Sequence, residues 1–129
     1  MAVEFALVAP LFLLMLGGII EFGQAFRIQH ALSTAARHGA RSAVTAGATN
    51  SSVTQKVRNS CVHALGVASS DVTVVIAIND NLSGSLSNAV EGDSIAVTVS
   101  IRYSKAGVGF FADSFADSTL SSTCTLEHE

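Results

Sequence analysis

The 129-residue sequence predicts an α+β chain: a long N-terminal helix, then a small head with one further helix on a three-stranded antiparallel sheet. Three observations carry the prediction. The run FALVAPLFLLMLGGII, from Phe5 to Ile20, holds no charged residue and continues without a break into a second helical pattern. The segment SVTQKVRNSCVHALG places Val53, Val57, Cys61 and Leu65 at four-residue steps, one face of a helix. Two later segments, DVTVVIAIND and DSIAVTVSIRY, place large apolar residues at every second position, and a last strand is expected near Thr119–Leu126.

The first helix is expected from about Val3 to about Ala46, roughly 65 Å at 1.5 Å per residue. Phe22, Phe26, Ile28, Leu32, Ala36 and Ala40 recur at helical intervals after the apolar run. Gly47 and the polar residues after it provide the stop. The apolar run is too long for a secretory leader, which ends at a small-residue cleavage site. Its large apolar side chains lie on every side, so leaving them in water would forfeit on the order of 20–30 kcal/mol. A domain's net stability is only about 5–15 kcal/mol, so lipid or copies of the same helix must cover this segment. The expected division is residues 1–48 as the hydrophobic and amphipathic helix that anchors the chain, and 49–129 as the globular head.

Four residues of this helix stand out: Glu4, Phe5, Pro10 and Glu21. Glu4 and Glu21 bracket the run about 25 Å apart, close to the roughly 30 Å of bilayer hydrocarbon. Glu21 fits a headgroup-level position. Glu4 has two readings: a first-turn carboxylate favoured by the helix dipole, or a functional intramembrane charge that pairs with its own or a neighbour's α-amino group. Pro10 removes the amide that would bond to the Ala6 carbonyl, so a kink or loosened turn is expected.

In the head, Asn50, Ser51 or Ser52 caps the second helix and Gly66 ends it. Val72, Val74, Ile76 and Ile78 share one side of the first strand. Ile95, Val97, Val99, Ile101 and Tyr103 share a face of the next, and Leu120, Ser122, Cys124 and Leu126 share a face of the last. Asn79 to Ser94 reads as a loop. Cys61 and Cys124 are the only cysteines. Both fall on faces directed at a helix–sheet interface, which suits a disulfide closing a loop of about 60 residues and contributing roughly 4 kcal/mol. Two buried free thiols are the other reading. Phe110, Phe111 and Phe115 either plug the core or form a subunit contact.

Composition restricts the function classes. Hydrophobic residues are 49% and charged residues 13%, and a net charge of −3 gives no reason to expect nucleic acid as a partner. His30 and His38 are two helical turns apart, too far to share a metal. Asp80, Asn81, Glu91 and Asp93 flank one loop and are better explained by turn chemistry than by Ca²⁺. GxSxG, HExxH, P-loop and GxGxxG motifs are all missing, so no catalytic residue, metal or cofactor is expected and the chain is read as a non-enzyme.

The stretch AVEFALVAPLFLLMLGGIIEFGQAF, followed by Ala-Ala-Arg-x-Gly-Ala-Arg at Ala35 to Arg41, resembles TadE-like proteins, pilin-like components of tight-adherence pili. The likeness is specific over about the first 45 residues and looser near the end, where GDSIAVTVSIRY and LSSTCTLEHE are similar to the family's closing strands. It implies a subunit stored in the inner membrane and passed by a pilus assembly machinery into an extracellular homo-oligomeric filament that serves adhesion. It also implies that Glu4 is the pilin glutamate of assembly and recognition. The alternative is a membrane-anchored periplasmic binding protein, or a minor pseudopilin, that does not itself form the filament.

Overall fold

The computed structural model describes all residues except Val108, Phe110 and Ala112. Helix α1 spans Ala2–Ala43 and runs through Pro10 without a break in its assignment. It stops where Val44 closes a last bond to the Ala40 carbonyl and Gly47 takes a left-handed φ of 79°. Helix α2 spans Asn50–Leu65. Its cap is Thr49, one residue before the expected candidates. The Thr49 hydroxyl accepts the Ser52 amide, and the Ser52 hydroxyl accepts the Thr49 amide, each at 3.2 Å. Such a reciprocal box satisfies two amides that the helix start would otherwise orphan. Asn50 is thereby free to hold the 79–93 loop: its amide donates to the Gly84 carbonyl and its oxygen accepts the Leu86 amide. Gly66, at φ 67°, ends α2 in the left-handed region as expected.

Three strands follow: β1 (Val72–Ile78), β2 (Ser94–Arg102) and β3 (Thr119–Glu127). They pair antiparallel in the order β1-β2-β3, with Val72 opposite Ile101 and Val97 opposite Cys124. Between β2 and β3 lies a one-turn helix, α3 (Tyr103–Ala106). Tyr103, expected as the last strand residue, instead begins this turn.

Alternation decides the sheet's inner face. Ile95, Val97, Val99 and Ile101 are buried, while their neighbours Ala96, Thr98 and Ser100 are only partly covered. Helix α1 lies against β2 and β3, and α2 packs on α1 and β1. The α1 contribution to the core is Ile28, Leu32, Ala35, Ala36, Gly39, Ala40 and Ala43. Small residues here let three elements meet. A Cβ on Gly39 would lie 2.5 Å from Val57 Cγ2 on α2 and 3.0 Å from Val97 Cγ1 on β2. The Ala-Ala-Arg-x-Gly-Ala-Arg stretch thus has a packing explanation: its small residues face inward and Arg37 and Arg41 face outward.

Phe22 and Phe26 do not join this stripe; they are 70% and 73% exposed. Phe26 lies two residues before Ile28, about 200° around the helix, so burying Ile28 turns Phe26 outward.

Candidate functional site

The first twenty residues of α1 extend beyond the head. Within Met1–Ile20 only Gly17 is buried, and Phe5, Leu7, Leu11, Phe12, Met15 and Ile19 are all more than half exposed. The helix is long and apolar enough to cross a membrane, and almost none of its most apolar window is covered by the chain's own residues. Glu4 lies at the free end. Its Oε2 is 3.7 Å from the Met1 α-amino group, and both groups are solvent-exposed. Phe5 is exposed one position on, and Pro10 sits within the uncovered segment.

Glu21 is placed differently from the other three. It is 7% exposed, the one buried charged residue among those described. Tyr103, Gly109 and Phe111, which follow β2 in the chain, lie over it. The Tyr103 hydroxyl donates to Oε1, and the Phe111 amide donates to Oε2 at 3.3 Å. Gly109 passes so close that a Cβ there would run into the carboxylate. Burial and the adjacent Glu21 carboxylate push the Tyr103 hydroxyl from its ordinary 10.0 up to about 12. Sequence reasoning put Glu21 at the end of the apolar run but did not find this clasp. A signal existed: a carboxylate beside an apolar run must find donors when buried, and Tyr103 is the only tyrosine in the chain.

The clasp forms one wall of an open cavity of about 550 Å³, walled by Gly18, Phe22, Ala25, Phe111, Phe115 and Leu120. Phe115 is 51% exposed and stacks edge-on against Tyr103, with ring centroids 6.4 Å apart. It therefore does not plug the core, as one reading of the three phenylalanines expected. Phe111 is half-buried, and Phe110 lies outside the described residues. The cavity opens where the uncovered part of α1 enters the head.

The disulfide expected between Cys61 and Cys124 is not formed in the structure; both cysteines are free. Cys61 is fully buried on α2, and burial pushes its thiol up. Cys124 is partly buried on β3. The two occupy different supports, because α2 covers the β1 side of the sheet while α1 covers β2 and β3.

The acidic loop follows turn chemistry. Asp93 accepts the Val90 amide and the Asn79 side-chain amide, and these bonds hold its carboxyl below the usual range. Asn81 accepts the Ser83 amide in the same way. Among the described residues no group of three or more His, Cys, Asp or Glu could hold a metal ion.

Residues 1–41 match the family model described as TadE-like protein. The match covers the uncovered apolar segment, Glu21, and the small-residue stripe as far as Arg41. No curated protein and no solved structure matches the chain.

Proposed function

We propose that this chain is a pilin-like structural subunit, held by α1 in the inner membrane and then assembled through α1 into a helical, extracellular filament used for attachment. The observation that carries the reading is the uncovered stretch of α1. Its side chains are apolar all round, and the head shields almost none of them. Lipid or sibling helices are the covers that chemistry allows. Moving between the two costs little hydrophobic energy, so close packing and the few charges set the arrangement. The match of residues 1–41 to TadE-like proteins supports a pilus-related role for that segment. In this reading residues 1–48 form anchor and filament core, 49–129 form the outward head, and Glu4 guides subunit docking with the assembly machinery.

Glu4→Ala separates this reading from a plain anchor. The expected result is a variant that still partitions with the membrane but yields no filaments. Unchanged filaments would remove Glu4 from assembly. Wild-type protein that stays a dispersed membrane species under assembly conditions would favour the anchored, non-polymerising alternative.

A further inference from the structure

The second half of α1 carries a one-signed charge stripe. From Phe22 to Thr49 the sequence has Arg27, Arg37 and Arg41 and no aspartate or glutamate. Arg27 reaches the Ala64 carbonyl at the end of α2. Arg37 and Arg41 are exposed and lie one turn apart, on the side of α1 away from Ala36, Gly39 and Ala40. Among the described residues the one ion pair is Met1 with Glu4, so neither arginine is paired with an acid of its own chain.

The complementary charge sits at one end of the sheet. Glu91 and Glu127 are exposed and line the same depression as Val44, which directly follows α1. Along the helix axis, Arg41 is about 4.5 Å and Arg37 about 10.5 Å before Val44, at 1.5 Å per residue. The sheet that carries Glu127 packs on the buried face of α1, the arginines face away from it, and within one copy the acids and the arginines do not pair. Two parallel copies, shifted by roughly 5–10 Å along the axis, can bring them together. The same shift leaves roughly 60–80% of the apolar run of each helix, about 24 Å from Phe5 to Ile20, alongside its neighbour's.

We propose that Glu91 and Glu127 of one copy dock on Arg37 and Arg41 of the next, and that this contact sets the axial register of neighbouring subunits. The proposal rests on the filament reading and names the contact within it. A parallel arrangement is the one that satisfies both surfaces, since an antiparallel pair would place the apolar stretches at opposite ends.

Charge reversal tests the contact in full-length protein. Arg37→Glu with Arg41→Glu, and separately Glu91→Arg with Glu127→Arg, are each expected to lower filament yield by roughly tenfold or more, because like charges then face each other. All four substitutions together are expected to restore it. The near-ultraviolet signal of Tyr103 in detergent checks that each variant still folds. If every variant polymerises like wild type, the contact is wrong while the filament reading stands. If only the arginine reversal matters, is not rescued, and abolishes binding to phosphatidylglycerol vesicles, the stripe serves a lipid headgroup and the contact is overturned. Wild-type protein that makes no filaments sinks the filament reading, and this contact with it.

Discussion

Glu21→Gln tests whether the clasp ties α1 to the head. Glutamine keeps the shape of the side chain but offers one acceptor oxygen and one donor nitrogen. Among the described residues two donors reach it, the Tyr103 hydroxyl and the Phe111 amide. With its oxygen on the Phe111 amide, its nitrogen can donate to the Tyr103 hydroxyl oxygen, so both contacts can persist, but neither is charge-assisted any longer. Exchanging a buried carboxylate acceptor for a neutral amide costs about 1 kcal/mol. For a folded unit of roughly 100 residues, the head together with α1 from Glu21 onward, that is a fall in Tm of about 4 °C or more. The chain has one tyrosine and no tryptophan, so tyrosinate absorbance reports this site alone. The wild-type midpoint is expected near 12, and the variant's below it, since burial persists but the carboxylate is gone. The sign follows from linkage. A hydroxyl raised from 10.0 to about 12 contributes stability that is complete below pH 10 and lost as pH rises toward 12. A folded wild-type protein whose tyrosine titrates at its ordinary value, unmoved by Glu21→Gln, would refute the clasp.

The remaining predictions concern packing and the thiols. Gly39→Ala places a methyl 2.5 Å from Val57 Cγ2, and is expected to cost about 1–3 kcal/mol by thermal denaturation. Adding Val57→Ala makes room and is expected to recover part of that loss; no recovery would mean the crossing of α1 and α2 is not as described. Alkylation of the unreduced, denatured protein followed by mass measurement is expected to add two labels, on Cys61 and Cys124. A mass with neither labelled would show the cross-link that the sequence led us to expect.

Where one residue's position fixes its neighbours, the fold was legible. Alternation along Ile95 to Ile101 determines which face of β2 is buried, and four-residue spacing of Val53, Val57 and Cys61 does the same for α2. The sequence reading went astray where two local patterns compete. Phe22 and Phe26 are the largest apolar residues near the stripe, so periodicity drew them inward. The helix instead turns its smallest residues to the core, because Gly39 must admit both Val57 and Val97. Thr49 outcompetes Asn50 as a cap because Asn50 is committed to Gly84 and Leu86, a contact that no local rule reveals. Glu21 shows the same limit. Its position in the chain is local, but its donors come from Tyr103 and Phe111, more than eighty residues later.

Negative-stain electron microscopy of the full-length protein after detergent removal bears most directly on how the oily start of α1 is sheltered. Fibres of uniform width, with residues 1–20 protected from hydrogen exchange, are the result expected here. A monodisperse, stable monomer whose first twenty residues exchange freely with water would contradict it.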